Sequence, residues 1–64
     1  MSPRILRTPE AAAYVGVSTS TLEKLRLTGQ GPAFVRLGSR MVGYEVESLD
    51  RWIERQRELT KDRR

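Results

Sequence analysis

The chain has 64 residues, a formal net charge of +4, no cysteine and no histidine. That length allows one small domain with a modest core and little surplus stability. Without Cys there is no disulfide or thiolate metal site, and without His the commonest general base and metal ligand are missing, so no catalytic residue, cofactor or metal centre is expected. No apolar run approaches the roughly 20 residues needed to span a bilayer, and Met1–Arg7 has no apolar h-region. The expectation is a soluble cytoplasmic protein with no membrane partner and no small-molecule substrate. A pI near 10.4 points instead to a polyanion. Residues 18–45 carry four basic groups against two acidic ones, whereas residues 46–64 carry six against five. The basic groups of the middle segment therefore have fewer acidic neighbours.

Taken in chain order, residues 1–7 read as a short lead-in, with Ile5 and Leu6 packing under the domain. Thr8-Pro9-Glu10 reads as a helix start, with Thr8 as N-cap, Pro9 at the first helical position and Glu10 near the positive helix end. Ala11 to Tyr14 continue the helix and Gly16 stops it. Ser18 then caps a second helix, which runs to about Thr28 and stops at Gly29. Leu22 and Leu25, three apart, face the core. The rest of the first two turns is Thr, Ser, Thr, Glu and Lys, and a helix that opens on small hydroxyl residues can approach another polymer closely. The second helix of a helix-turn-helix meets the major groove of DNA in this way.

After the loop Gln30-Gly31-Pro32, Phe34–Leu37 reads as a strand, Gly38-Ser39-Arg40 as a turn and Met41–Tyr44 as the returning strand. A third helix is expected to begin between Glu45 and Glu47. Val46, Leu49, Trp52, Ile53, Gln56 and Leu59 share one face of it, and Glu47–Arg51 forms a favourable i,i+4 pair on the rest. The expected core is Leu22, Leu25, Phe34, Val35, Leu49, Trp52 and Ile53. The aromatic residues Tyr14, Phe34, Tyr44 and Trp52 are read as core rather than as stacking platforms for single strands. Residues 1–64 read as one domain, with its core over about 5–58 and a frayed tail over 59–64.

Helix, turn, helix, hairpin, helix is a winged helix-turn-helix order: mainly α with a β-hairpin wing. Four pieces carry a closer likeness: Leu6-Arg7-Thr8-Pro9-Glu10-Ala11-Ala12; Gly16 to Leu22; Arg26 with Gly29-Gln30-Gly31-Pro32; and Phe34 to Arg40 followed by Tyr44, Leu49-Asp50 and Trp52-Ile53. In this order the chain resembles the MerR-like small phage and mobile-element proteins of the AlpA and excisionase type. The resemblance implies a second helix in the major groove and a wing on the backbone or minor groove. It also implies work as a transcriptional regulator, or as a recombination directionality factor that helps an integrase excise an element. Two departures stand out. Many relatives flank the wing tyrosine with Arg, but here the neighbours are Gly43, Glu45 and Val46. Glu23 stands where an aromatic or basic residue is frequent; it can accept from cytosine N4 but repels phosphates.

The candidate DNA-binding residues are Thr19, Ser20, Glu23, Lys24, Arg26, Arg36, Ser39 and Arg40. Thr19 and Ser20 could meet phosphates or base edges, whereas Thr21 serves the cap as readily as DNA. Lys24 is placed to meet a phosphate. Arg26 either reaches the DNA or lies along the wing against an acidic group. Arg40, beside the hairpin turn, could set its guanidinium on phosphates or in a narrow minor groove, with Ser39 donating nearby. Gly38 is conformational. Arg51, Arg55 and Arg57 alternate with acids and read as a solvated face. The expected partners are double-stranded DNA, neighbouring copies of the chain on it, and an integrase. The competing expectation is a protein-interaction adaptor that presents its third helix to a partner.

Overall fold

The computed structural model describes residues 4–61. Its elements in chain order are β1 (Ile5–Arg7), α1 (Thr8–Val15), α2 (Thr19–Thr28), β2 (Val35–Arg36), β3 (Val42–Glu45) and α3 (Val46–Lys61). The three strands form one antiparallel sheet in the order β1-β3-β2. Three helices on a small sheet with a projecting hairpin make a winged helix-turn-helix.

The turn between α1 and α2 forms where its residues predict. Gly16 sits in the left-handed region at φ 88°, where a side chain would be strained. From there the Gly16 and Val17 N–H groups donate to the Ala12 carbonyl at 2.8 and 2.9 Å, satisfying the end of α1. Ser18 then caps α2: its hydroxyl oxygen accepts from the Thr21 N–H at 3.1 Å, and its O–H donates to Thr21 Oγ1 at 2.9 Å. Thr21 therefore belongs to the cap.

Several expectations shift. The lead-in contains a strand: β1 pairs with β3 in the register Ile5↔Glu45, Leu6↔Tyr44, Arg7↔Gly43. Leu6 packs against the core as expected, but Ile5 stays 42% exposed on the other face. Because β1 runs through Arg7, the N-cap of α1 is Arg7 rather than Thr8, and its backbone N–H donates to Glu10 Oε1 at 3.2 Å. The first hairpin strand is shorter, Val35–Arg36, and the second keeps its length but moves one residue on, to Val42–Glu45. The end of the domain also moves, since α3 continues through residues 59–61. There Thr60 donates to the Gln56 carbonyl at 2.8 Å and Lys61 lies 3.9 Å from Glu58. Residues 62–64, the remainder of the expected frayed tail, lie outside the described residues.

The core is smaller than expected and differently composed. Ala11, Ala12, Leu22, Tyr44 and Leu49 are fully buried, with Leu6, Val15, Val17 and Val42 packed against them. Phe34 and Val35 are exposed, and Leu25, Trp52 and Ile53 are only half-buried. The short side chains of Ala11 and Ala12 let α1 approach its neighbours closely, so a few large residues fill the interior. Leu59, three-fifths exposed, falls past the end of this small core. Tyr14 is exposed too, but its O–H donates to Asp50 Oδ1 at 2.7 Å and ties α1 to α3. That bond, with lesser contributions from desolvation and the Asp50 charge, holds the phenol above its ordinary pKa. Trp52 Nε1 donates to the Gln30 carbonyl at 2.9 Å, fastening the loop before the wing onto α3.

Two positions show how tightly the wing is built. A Cβ on Gly43 would lie 2.5 Å from Ile5 Cγ2 and 2.8 Å from Leu37 Cδ1. Any side chain at the centre of β3 would therefore have to displace Ile5 and Leu37. Next to it, the Tyr44 hydroxyl is buried without a partner among the described residues. A buried donor left unpaired carries a desolvation cost that an apolar replacement removes. Tyr44→Phe is accordingly expected to stabilise the fold by about 1 kcal/mol, raising Tm by roughly 4–8 °C. A thermal melt checks this; a lowered Tm would mean that the hydroxyl is bonded.

Candidate nucleic-acid interface

The helix-turn-helix presents α2 with its apolar side inward. Leu22 is fully buried and Leu25 half-buried, so positions one or two residues away from them face out. Ser20, Glu23 and Lys24 are exposed on this outer side, and Thr19 is half-buried at its start. Leu27, 80% exposed, continues the same face one turn after Glu23 and Lys24. Leu27 is not among the candidate residues, and its exposure is seen only once α2 is packed on the core.

Arg26 turns towards the wing. Its guanidinium lies 5.9 Å from the centroid of the Phe34 ring, and Phe34 in turn tilts against Tyr44 at 6.3 Å and 56°. This is a cation–π contact; Arg26 lies along the wing, as one of its two readings has it, but no acidic partner among the described residues holds it there. The Phe34 ring, exposed against the core expectation, is the surface over which Arg26 lies.

Arg40 and Ser39 are exposed at the hairpin tip, where the Leu37 N–H donates to the Met41 carbonyl at 2.8 Å. Arg36 is exposed on β2, the edge strand of the sheet. The structure brings Glu23, Arg26 and Arg40 to one concavity between α2 and the wing, lined also by Arg7, Thr8 and Met41. Ser20 and Lys24 lie on the adjoining outer face of α2. Arg36 and Ser39 do not line the concavity.

Ion pairing separates two kinds of cation. The salt bridges among the described residues all lie on α3: Arg51–Glu47 at 3.7 Å, Arg57–Glu54 at 4.0 Å and Lys61–Glu58 at 3.9 Å. The first is the expected i,i+4 pair. By contrast, Arg7, Lys24, Arg26, Arg36 and Arg40 have no carboxylate within 4.0 Å among the described residues. The paired cations thus sit on α3, where Arg55 alone of four has no such pair among the described residues, and the cations of α2, the wing and the end of β1 are all unpaired. Among the described residues no group of three or more His, Cys, Asp or Glu side chains could hold a metal ion. No helix there is long and apolar enough to cross a membrane.

A family model described as a helix-turn-helix domain matches residues 5–57, from the first strand to the last turns of α3. The chain belongs to this family, that of the small AlpA- and excisionase-like DNA-binding proteins. No curated relative matches the chain. Family membership and the turn geometry agree on the coarse activity: this helix-turn-helix domain binds DNA.

Proposed function

We propose that the protein binds double-stranded DNA sequence-specifically, with α2 in the major groove and the wing on the backbone or minor groove. In this reading it acts as an excisionase or as a transcriptional regulator of a phage or mobile element. The observation that carries the reading is the segregation of charge. Lys24, Arg26, Arg36, Arg40 and Arg7, on α2, the wing and the strand before α1, have no carboxylate partner among the described residues, whereas three of the four cations of α3 are paired with acids. Unpaired lysine and arginine side chains can displace counterions from a duplex, and that displacement supplies most of the sequence-independent affinity. Ser20 and Thr19 would meet phosphates or base edges, Lys24 a phosphate, and Glu23 a cytosine amino group. Arg36, Ser39 and Arg40 would meet the backbone from the wing. The protein works non-enzymatically, in the bacterial cytoplasm at the nucleoid, with an integrase as partner if the excision role holds.

The adaptor alternative has one feature in its favour. A groove between α3 and the preceding loop is lined by Trp52, Arg51, Arg55 and Pro32, and could receive an acidic segment of a protein.

The deciding experiment is binding across a library of genomic fragments at several salt concentrations. A steep loss of affinity with salt and enrichment of one fragment class support DNA recognition, whereas a flat response supports the adaptor. Lys24→Ala and Arg40→Ala should each weaken binding to every sequence and lower the salt slope by roughly one. Fluorescence anisotropy on a fixed duplex reads both. Intact affinity in Lys24→Ala at moderate salt would sink the α2 docking, and an unchanged slope in Arg40→Ala would lift the wing off the DNA.

A further inference from the structure

We infer that Arg7, Arg26 and Arg40 together form a notch for a single backbone phosphate of duplex DNA, with Arg7 as a contact residue that the sequence does not announce. The inference rests on the DNA-binding reading and names the atoms that hold the strand between α2 and the wing. The three arginines come from three elements: the end of β1, the last turn of α2 and the hairpin turn. All three residues line one concavity of about 170 Å³, whose remaining lining includes Thr8 and a single carboxylate, Glu23. None of the three arginines is ion-paired among the described residues. Like charges gathered in one hollow repel each other, and one carboxylate cannot offset three guanidiniums. An anion removes that repulsion.

A phosphate suits the hollow better than a base edge. The planar guanidinium forks give bidentate bonds to phosphate oxygens, and three forks from three directions match a group with several acceptors. The arrangement is also partly fixed before binding. Arg26 is rested on Phe34, and Phe34 on the buried Tyr44. Arg7 has its backbone held on both sides, through pairing with Gly43 and through the N–H bond to Glu10. A contact group that is already placed loses less conformational freedom when the ligand arrives. The hollow is open to solvent, so a free anion there competes with water on all sides, whereas a strand phosphate is held by the other contacts of α2.

The test is a titration of a duplex of random sequence by anisotropy, at several salt concentrations. The proteins compared are wild type, Arg7→Gln, Arg40→Gln, the double variant, and Arg55→Gln on α3 as a control. Arg7→Gln should lose about ten-fold in affinity, the scale of one charge-assisted hydrogen bond. Its salt slope should fall by roughly one. Because the two arginines share one phosphate, the double variant should lose less than the product of the single losses. Arg7→Lys should keep the slope and recover only part of the affinity. All variants should melt with wild type, since the Arg7 backbone bonds remain. Wild-type affinity in Arg7→Gln, or losses that multiply, would overturn the notch while leaving DNA binding intact. Failure of wild type to bind any duplex would overturn the DNA-binding reading itself and the notch with it. Inorganic phosphate alone, at constant ionic strength, should leave the melt unchanged; a raised Tm would reassign the hollow to a free anion.

Discussion

Leu22→Ala is expected to unfold a large fraction of the protein, with the greatest loss of stability of any single truncation on α2. Leu22 is fully buried one turn after the Ser18 cap and packs in the cluster with Ala11, Ala12, Tyr44 and Leu49. Removing its three terminal carbons leaves a cavity that two alanines on α1 cannot reach across to fill. Leu→Ala changes at such sites cost about 2–5 kcal/mol. A domain of this length holds only about 0.05–0.15 kcal/mol per residue, so the loss approaches the whole. Tm should fall by at least about 10 °C. Trp52→Ala should cost less: a fully buried tryptophan would forfeit about 3–5 kcal/mol, but Trp52 is half-exposed and adds one hydrogen bond to Gln30. Leu27→Ala, at an 80% exposed position, should be near neutral. Thermal melts of the three variants test the order. A Trp52 effect as large as that of Leu22 would mean that the clamp of the loop onto α3, rather than the small core, holds the domain together.

The order of elements is legible in the chain because its punctuation is local. Gly16, Ser18 and Gly29 each act on their immediate neighbours, and α3 carries its own apolar face. The first strand is not legible. Ile5–Arg7 is too short for a period-2 pattern, and it is a strand only because Tyr44 and Gly43 lie alongside it. The same non-local effect explains the core. Two alanines outrank Phe34 and Val35 because they lie where α1 meets its neighbours closely, and composition weighs size rather than place. It also explains Gly43, whose missing side chain is set by Ile5 and Leu37 from different parts of the chain. The candidate site shows this division again. The outward side of α2 follows from the spacing of Leu22 and Leu25, so Ser20, Glu23 and Lys24 fall where expected. Arg7 joins Arg26 and Arg40 only through β1 pairing, which no spacing rule reports.

Cooperative assembly on DNA is the second large effect expected, and it follows from the size of the contact. A single module of this kind can cover only roughly 600–1,000 Å² of protein surface against a duplex. The contact groups proposed for it are few: two hydroxyls and one lysine from α2, and a handful of arginines. Selective occupancy at physiological salt needs more. Among the described residues a coiled-coil dimer has no continuous seam on α3, since Leu49 is committed to the core and positions 56 and 60, one and two turns beyond Ile53, are Gln and Thr. Small head-to-tail contacts between protomers on adjacent sites can supply the difference without one. A coupling of about 1–3 kcal/mol between neighbours corresponds to a 5- to 150-fold gain in affinity for the second site. Such a contact is far too weak to hold two copies together off the DNA, which serves to bring them close. A bend spread along the duplex would then accumulate with each copy, as an excision factor requires. The protein is therefore expected to sediment as a monomer in free solution and to bind a multi-site duplex at least ten-fold more tightly per site than a single-site one. Titration of the two duplexes, with analytical ultracentrifugation of the protein alone, decides it. Equal affinity per site would leave each copy acting alone, and a stable dimer without DNA would place the assembly step before the encounter with the duplex.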